Sequence, residues 1–586
     1  MKYKPNNATV IATSGNRMHE VTGPAVSPKQ ALWLRHQETV ITIAAMFCCA
    51  CLAFNGLGNH AFWDDEANTA LFGRNLLKFG NLTGWDGQNL IGYKFGAELD
   101  ENLVNRYMPP VQYYVAAASF ALFGESTVGG RILFVIWGLA TLPWLTLFAR
   151  RLGNNLFPSW LPALLLAFSP AWLLYIRNCR YYSIGAFFSL MLLACFVAPL
   201  VTRRQQQVTA VLVAVATAGL IGTQYIYAAY ILAALPLLLL PKHLRCGSRV
   251  VLLLLTGLTS LLIGMIILYY ANPFAAKMAM GDDSPRTLKM LKHVWSYLRN
   301  MVLYEHVPVL LSLALPLPFL LKRLEQKKTL VSIGVILIII FCLSAIITVL
   351  ISPKSPSMRY LVPLIPLGSL FAALTINILW QFFRPLALIA SILLVFSNIL
   401  YLGNLDKRRG LGIPTRGVSS TLLDYISETF NDYETSTETL IRLLKEKPDG
   451  SVVFIYPTYM AYPPMFYLPK LRYTCQIDTQ KSIRPDLTAM LPQYVYGEKA
   501  KLDYAFIIDK NYIVDSGNLN ISIDNRKFEF GNYRKETVLT TGAMIDVFPI
   551  DRSRPEIGWH SFSLDDYRKV NKKALSILNF GSLLPN

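Results

Sequence analysis

Apolar runs long enough to cross a lipid bilayer recur through about the first 400 residues of the chain. A helix needs about 20 mostly apolar residues to cross a hydrocarbon layer ~30 Å thick, since each residue advances it by ~1.5 Å. The chain is therefore predicted to be a polytopic α-helical membrane protein with about 11 transmembrane helices. The predicted spans are 39–58, 128–149, 156–175, 183–200, 207–222, 224–240, 249–271, 306–321, 329–351, 359–379 and 385–403. The division of 207–240 at residues 222–224 is the least clear of these.

The composition agrees with a surface that faces lipid. Charged residues make up 16% of the 586 residues, whereas an ordinary soluble domain carries about 25%. The net charge of +19 comes from short basic clusters between apolar runs, without interleaved aromatic residues, so no nucleic-acid partner is predicted. The eight cysteines form no zinc-binding pattern, and the part after residue 403 contains only Cys475, which excludes a disulfide bond within it.

Basic loop residues predict the orientation of the helices, because loops rich in Lys and Arg tend to stay in the cytoplasm. The five basic clusters of the loops lie on the same side of the membrane if the N-terminus is cytoplasmic and residues 111–123 form a short interfacial helix instead of crossing the membrane. The first apolar run follows a long polar tail and lacks a small-x-small cleavage site, so it is predicted to be retained and not a signal peptide. The expected location is the cytoplasmic (inner) membrane of a bacterium. The clusters are Arg150-Arg151, Arg203-Arg204, Lys242 with Arg245 and Arg249, Lys322-Arg323 with Lys327-Lys328, and Arg384.

Three regions follow from this orientation. Residues 1–38 are a cytoplasmic tail, 39–403 the transmembrane region with a long first outer loop at 59–127, and 404–586 a soluble periplasmic or otherwise extracytoplasmic domain. In the last region, 451–456 and 503–509 have the pattern of strands and 435–447 that of an amphipathic helix. A mixed α/β domain is therefore expected there.

Three consecutive carboxylates, Asp64, Asp65 and Glu66, follow an aromatic pair at the start of the first outer loop. Like charges this close raise one another's pKa, which suits a group that accepts a proton near neutral pH. The alternative is structural, because acidic residues stabilise the positive end of the helix expected from Glu66 to Phe79. A divalent cation could bind these carboxylates. Three adjacent residues converge on one ion only with a distorted backbone, so no metal and no other cofactor is predicted.

Basic residues also cluster on the outer side, against the orientation bias. Arg177 and Arg180 lie three residues apart at a helix junction, so one helical turn would put them on one face, able to grip a phosphate. The alternative is that both arginines snorkel to anchor helix ends. Two further basic segments have the same placement, Lys354 to Tyr360 before Pro363 and Pro366, and Arg106-Tyr107 before a Pro-Pro pair.

The order of these motifs resembles the GT-C superfamily of membrane glycosyltransferases, in the branch with the protein O-mannosyltransferases and the lipid A aminoarabinose transferase. The motifs are Asp-Glu at 65–66, Pro-Pro at 109–110, Phe-Gly at 123–124 with Arg131, Arg-x-x-Arg at 177–180, and Arg-Tyr-x-x-Pro-x-x-Pro at 359–366. Together they cover roughly residues 38 to 403. Two positions depart from the aminoarabinose enzymes: Met108 replaces a lysine before Pro-Pro, and Tyr182 replaces an aspartate.

The resemblance implies an inverting transfer of a sugar from a polyprenyl-phosphate donor to an acceptor on the outer face of the membrane. The acceptor is a cell-surface glycan, a lipid or a protein. The two departures argue against aminoarabinose as the donor sugar, and a generic hexosyl donor fits as well, so the expected enzyme is a hexosyl- or pentosyltransferase. The resemblance implies that Asp65 is the general base, with Glu66 and Asp64 as catalytic neighbours. The residues expected to bind the donor phosphate are Arg177, Arg180, Arg359, Arg106 and Lys354, and those expected to line the substrate pocket are Trp63, Tyr107, Tyr181, Tyr182 and Tyr360.

Two other functions stay open at this point. A transporter or flippase of lipid-linked saccharides would carry ionisable residues deep inside its spans, where this sequence has almost none. A non-catalytic cell-envelope assembly protein would use the helices as an anchor, which leaves the outer arginines without a role.

Overall fold

The structure is a computed structural model, and it describes most of the chain as helices and strands. The described residues are 28–92, 98–153, 157–198, 202–232, 235–240, 249–270, 287–303, 307–320, 325–351, 358–397, 399–401, 421–430, 435–456, 458–474, 483–495, 503–509, 519–523, 526–530, 536–539 and 544–549. Lys354 lies outside the described residues.

Helices dominate the first 400 residues. In chain order they are α1 Pro28–Phe54, α2 Asp64–Phe79, α3 Val111–Phe123, α4 Thr127–Gly153, α5 Leu161–Ala167, α6 Pro170–Ile176, α7 Tyr182–Phe196, α8 Arg203–Thr223, α9 Ala229–Leu232, α10 Arg249–Tyr270, α11 Thr287–Leu303, α12 Glu325–Ile351, α13 Ile365–Phe382 and α14 Arg384–Phe396. Short 3-10 helices lie at Tyr225–Ala228, Leu235–Leu239, Val309–Ala314, Leu317–Leu320, Met358–Leu364 and Ile399–Tyr401.

Five helices are long and apolar enough to cross a membrane by length and composition, among the described residues. They are His36–Phe54, Thr127–Gly153, Arg203–Thr223, Thr329–Ile351 and Arg359–Phe382, and each coincides with a predicted span. The protein is thus mostly helical, with several apolar helices. The number of about 11 transmembrane helices stays a prediction.

Several predicted spans are interrupted in the structure, and the sequence contains the reason. The segment 156–175 is two seven-residue helices, α5 and α6. Pro170 begins α6 because it lacks a backbone N–H, and the Ser169 hydroxyl caps the new helix by accepting from the Trp172 N–H at 3.4 Å. The segments 224–240 and 306–321 consist largely of 3-10 turns.

Helices α2 and α3 lie in the first long loop and pack against each other. Gly73 of α2 permits this, since a Cβ there would lie 2.8 Å from the Cβ of Ala116 in α3. The 13 residues of α3 reach only ~20 Å, too short for a comfortable span, in agreement with the prediction of a short helix at 111–123. The pair forms a base for the site described below.

After residue 420 the chain combines helices and strands. The helices are α15 Thr421–Phe430, α16 Ser436–Lys445, α17 Tyr462–Tyr467 and α18 Pro485–Met490, with 3-10 turns at Thr458–Ala461 and Gln493–Val495. The strands are β1 Val452–Tyr456, β2 Arg472–Tyr473, β3 Tyr504–Asp509, β4 Leu519–Ile523, β5 Arg526–Phe530, β6 Glu536–Leu539 and β7 Met544–Pro549. The predicted strands at 451–456 and 503–509 and the predicted helix at 435–447 are therefore present.

Five of these strands form one mixed sheet in the order β2-β1-β3-β7-β6. Strand β1 is parallel to both β2 and β3, whereas β7 runs antiparallel to β3 and β6. Strands β4 and β5 form a separate antiparallel pair. This part packs on the first long loop: the Asn89 side chain accepts from the Tyr473 N–H and donates to the Leu471 carbonyl, both at 2.9 Å. The side chain of Asn89 in the loop is thus joined by hydrogen bonds to the backbone of the C-terminal part.

Candidate functional site

The three carboxylates occupy the first turn of α2. Trp63 precedes them with extended backbone, and Asp64, Asp65 and Glu66 are the first three helical residues. Successive residues of a helix point about 100° apart, so neighbouring carboxylates face different surroundings. The three side chains therefore do not form one acidic cluster.

Asp65 lies between two arginines that are distant from it in sequence. Nη2 of Arg180 is 3.3 Å from Oδ1 of Asp65, and Nη1 of Arg359 donates to Oδ2. Arg180 also donates from Nη1 to the Asp65 carbonyl at 2.9 Å and to Oγ1 of Thr69 at 2.7 Å. The Arg180 side chain is 7% exposed, whereas those of Asp65 and Arg359 are 24% and 28% exposed. The carboxylate thus retains access from outside while one of its arginines is buried.

The environment of Asp65 lowers its pKa. Burial acts to raise the pKa of this carboxyl, but the charges of Arg180 and Arg359, with the hydrogen bond from Arg359, outweigh burial and bring it below the usual value. The prediction that neighbouring carboxylates raise this pKa is wrong, because the arginines are closer partners. Asp65 is therefore ionised at neutral pH.

Both arginines keep one hydrogen-bond donor without a partner among the described residues. These donors are Nε of Arg180 and Nε of Arg359, and both atoms are buried. Leaving a buried charged donor unsatisfied costs roughly 1–3 kcal/mol or more, so both donors are available to a further acceptor. Nε2 of Gln112 is a third buried donor of this kind. The side-chain oxygen Oε1 of Gln112 accepts from the hydroxyl of Thr69, the residue that contacts Arg180.

Each of the two arginines makes a cation–π contact with the tyrosine that follows it in sequence. Arg180 lies over the ring of Tyr181 at 5.2 Å, and Arg359 over that of Tyr360 at 5.4 Å. The hydroxyl of Tyr227 donates to the Arg359 carbonyl at 3.1 Å, which holds the 3-10 turn that carries Arg359. Burial raises the pKa of Tyr181 to about 12, so this phenol stays neutral.

The prediction that Tyr181 and Tyr182 line a substrate pocket is not supported by their positions. Both are 1% exposed and pack edge to face at 4.7 Å, so they form part of the core beneath the arginines. Tyr360 is partly exposed beside Arg359. Trp63 is also partly exposed, and its indole N–H donates to the side chain of Asn178 at 3.2 Å.

Glu66 faces away from Asp65 and pairs with Arg131 of α4. The two groups form a bidentate ion pair, with Nε to Oε1 at 2.9 Å and Nη2 to Oε2 at 2.6 Å. Oε1 also accepts from the backbone N–H of Cys179 at 2.6 Å. Glu66 is fully buried, so its carboxylate is committed to internal partners that hold α2, α4 and the 177–180 turn together.

Arg177 does not join the Asp65 cluster. Residues 177–181 form a turn between α6 and α7, so the expectation that one helical turn aligns Arg177 with Arg180 is wrong. The Arg177 guanidinium donates to the carbonyls of Asn55 and Gly56 at 2.7 and 2.6 Å, just past the end of α1, and to the hydroxyl of Tyr425 at 2.9 Å. Its contacts are those of a cation that caps a helix end.

The other predicted site residues that the structure describes are Arg106, Tyr107 and Asp64. Arg106 pairs with Asp100 at 2.9 Å and is 39% exposed, and Tyr107 follows it in the same loop. Oδ1 of Asp64 accepts from the Asp65 N–H at 2.8 Å at the helix start. No group of three His, Cys, Asp or Glu side chains is arranged to hold a metal ion in the part of the chain that the structure describes.

Sequence reasoning missed Thr69 and Gln112, which complete the surroundings of Arg180, and two residues of the C-terminal part, Glu438 and Tyr467. The signal for Thr69 was available, because it lies four residues after Asp65 on the same helix face. The others come from elements that nothing in the sequence connects to α2.

No family model and no curated protein matches the chain. Among solved structures it is similar to ArnT from Cupriavidus metallidurans bound to undecaprenyl phosphate, at 15% identity and a TM-score of 0.48, over 89% of this chain and 99% of that one. It is also similar to the archaeal oligosaccharyltransferase AglB from Archaeoglobus fulgidus, at 11% identity and a TM-score of 0.47, over 82% of this chain and 70% of that one.

Proposed function

We propose that the chain is an inverting membrane glycosyltransferase, which moves a sugar from a polyprenyl-phosphate donor to an acceptor hydroxyl. One observation carries the proposal: the Asp65 carboxylate lies between Arg180 and Arg359, each with a buried Nε donor that no described residue satisfies. A carboxylate beside two cations supplies a base and a phosphate site at one point, which this transfer requires.

The reaction needs both charges. The acceptor oxygen attacks the anomeric carbon from the face opposite the phosphate, which inverts that centre, and its proton passes to Asp65. The bond between the anomeric carbon and the phosphate oxygen breaks, and its electron pair stays on the phosphate. Arg180 and Arg359 stabilise the negative charge that develops on that oxygen, an interaction that strengthens in the transition state.

The same contacts couple donor binding to the base. Without donor, the two arginines lower the pKa of Asp65 and make it a weak base. A bound phosphate shares the positive charge of these arginines and brings negative charge close to Asp65. Both effects raise the basicity of Asp65 once the donor is in place. The base is thus strengthened only when there is a sugar to transfer.

The location follows the sequence prediction. The chain lies in the cytoplasmic membrane with a cytoplasmic N-terminus, about 11 spans and an extracytoplasmic domain at 404–586, so that Asp65 faces the outer leaflet. A lipid-carried donor then reaches the arginines laterally from the membrane. The five apolar helices support a membrane location, and the orientation rests on the basic loops.

Asp65→Asn tests the base. We expect the full-length variant to lose about 100- to 10,000-fold in transfer rate while it keeps wild-type expression and donor binding, because Asn preserves shape but does not accept the proton. The assay follows radiolabelled hexose from undecaprenyl phosphate to acceptors of the bacterial envelope, with protein in nanodiscs. Asp486→Asn, in an exposed pair with Arg484, is the control for loss of one carboxylate and should keep full activity. Full turnover by Asp65→Asn would exclude Asp65 as the base.

Arg359→Gln tests the donor class. Arg359 has only Asp65 as a side-chain hydrogen-bond partner among the described contacts, so the substitution disturbs few internal contacts. Because the variant lacks the cation that holds the phosphate, its binding of undecaprenyl phosphate, measured by native mass spectrometry, should be at least tenfold weaker. Arg484→Gln removes an exposed cation elsewhere and should bind like wild type. Equal binding by all three proteins would contradict a phosphate site at Arg359. A wild-type protein that moves the lipid-linked sugar across the membrane without transfer would instead be a flippase, and one that does neither would leave the assembly role.

A further inference from the structure

We infer that Glu438 and Tyr467, from the C-terminal part of the chain, are positioning residues. They hold the turn at residues 55–63, just before Asp65, in its active geometry. This inference rests on the proposed function for its effect on rate. The contacts themselves do not depend on that function, and neither residue touches Asp65, Arg180 or Arg359 in the described structure.

Two consecutive backbone groups of the turn bind the C-terminal part. The Ala61 N–H donates to Oε1 of Glu438 at 2.8 Å, and the Phe62 N–H donates to the hydroxyl of Tyr467 at 2.9 Å. These partners are 377 and 405 residues away in sequence. The turn ends at Trp63, so its conformation sets where α2 begins.

Glu438 is itself fixed at the start of α16. Its Oε2 accepts from the N–H of Thr435 at 2.7 Å and from the Thr435 hydroxyl at 2.9 Å, which is the capping box of that helix. Burial acts to raise the pKa of Glu438, but the His60 ring, whose Nδ1 lies 3.5 Å from Oε1, and hydrogen bonds from Thr435 and Ala61 outweigh it and lower the pKa. One carboxylate therefore caps a helix with one oxygen and holds the turn with the other.

Tyr467 is fixed in a similar way. Its hydroxyl shares a hydrogen bond of 2.7 Å with the hydroxyl of Thr127 at the start of α4, and its ring lies 6.1 Å from that of Phe62. Phe466 contacts Phe62 edge to face at 5.0 Å and stacks on Phe120 at 5.8 Å. Aromatic packing thus aligns the hydroxyl with the turn.

The carbonyl groups of the same turn bind the helical part of the chain. Arg131 donates to the carbonyls of Leu57 and His60 at 2.8 and 2.9 Å, and Arg177 to those of Asn55 and Gly56. The turn therefore has carbonyls held from one side and N–H groups from the other. Removing the C-terminal partners leaves two of its donors unsatisfied and lets the start of α2 shift against Arg180 and Arg359.

A simple docking role would use the same contacts without affecting the reaction. Three full-length variants distinguish the two roles. Tyr467→Phe removes only the hydroxyl and keeps the ring contacts, Glu438→Ala removes both carboxylate oxygens, and Glu438→Gln restores one acceptor. Arg484→Ala is the matched control, since Arg484 joins the C-terminal part to the loop through Asn102 at 3.1 Å, away from the turn.

Hydrogen exchange and kinetics are measured on each purified protein. The loss of one hydrogen bond worth about 0.5–1.5 kcal/mol should speed amide exchange in the peptide that contains residues 61 and 62 by roughly 2- to 12-fold. We expect kcat to fall by a similar factor in Tyr467→Phe and Glu438→Ala with an unchanged KM for the donor. Glu438→Gln should recover part of both losses, and Arg484→Ala should change neither.

Faster exchange with unchanged kcat would mean that these residues only dock the C-terminal part, and unchanged exchange would mean that they do not hold the turn. Either result overturns the inference. Exchange needs no turnover, so a wild-type protein without transfer activity would remove the proposed function while exchange still reports on the contacts.

Discussion

The buried ion pair between Glu66 and Arg131 is expected to stabilise the site without taking part in the reaction. The substitution Arg131→Met keeps much of the side-chain volume but removes the charge and all five donors. It leaves the Glu66 carboxylate fully buried with two backbone N–H partners, from Cys179 at 2.6 Å and Trp63 at 3.4 Å. It also leaves the carbonyls of Leu57 and His60 without this donor.

The structure sets the size of the effect. Breaking a buried pair by removing one partner costs about 3–5 kcal/mol, because the other charge stays buried and uncompensated. Since a whole protein is stable by only about 5–15 kcal/mol, this is a large fraction of the total. Adding Glu66→Gln to Arg131→Met removes the uncompensated charge, so the double variant should recover about 1–3 kcal/mol. Recovery is incomplete because the freed carbonyls remain.

Thermal inactivation in detergent measures this, since unfolding of a multispanning protein is expected to be irreversible and its rate is the operational stability. The fraction of monodisperse protein is followed with time for wild type, both single variants and the double variant. The coupling between the two sites is taken from the logarithms of the four rates. Asp486→Asn, in an exposed ion pair with Arg484, is the control for a substitution that should leave stability unchanged.

Two results would refute this reasoning. Wild-type stability of Arg131→Met would show that the pair does not stabilise the fold, and a double variant no more stable than Arg131→Met would show that the two charges are not coupled. A Glu66→Gln variant with normal stability and a 100-fold loss of kcat, about 2.7 kcal/mol, would place Glu66 in the reaction, as the sequence motif predicts.

Two further predictions separate the arginines. Arg359→Gln removes one cause of the lowered Asp65 pKa, so this pKa rises. Because the base acts when deprotonated, the decline of kcat at low pH, measured at saturating donor, should begin at a higher pH in the variant than in wild type. Superimposable profiles of kcat against pH would be inconsistent with this. Arg177→Met leaves the Asn55 and Gly56 carbonyls and the Tyr425 hydroxyl without their hydrogen-bond donor. The variant should lose about 1.5–3 kcal/mol of stability, seen as faster thermal inactivation, with an unchanged KM for the sugar donor. A tenfold higher KM at normal stability would instead support the sequence prediction that Arg177 binds the sugar donor.

The local features of this fold are visible in the sequence. The apolar runs at 128–149 and 329–351 correspond to α4 and α12, and the acidic first turn marks the start of α2 within two residues of the expected Glu66. The strands at 451–456 and 503–509 follow from runs of aliphatic and aromatic residues. Each feature depends on residues a few positions apart, which is why periodicity and helix-end chemistry predict it.

The partners of charged groups are not visible in the same way. Arg177 and Arg180 are equivalent in any local pattern, yet one caps α1 and the other binds Asp65, because the chain turns between α6 and α7 and sends the two side chains in different directions. Asp65 and Glu66 are adjacent and equally acidic, but one is partly exposed beside two arginines and the other fully buried.

The sequence by itself determined that this chain forms apolar helices, starts a helix within two residues of Asp64, and places Arg177, Arg180 and Arg359 far from the three carboxylates along the chain. Only the tertiary structure decided which arginine meets which carboxylate, and that Glu438 and Tyr467 hold the turn before Asp65. The physical reason is distance along the chain. Propensity and capping act over a few residues, whereas ion pairs and hydrogen bonds between segments 65 to 405 residues apart depend on how every intervening element packs.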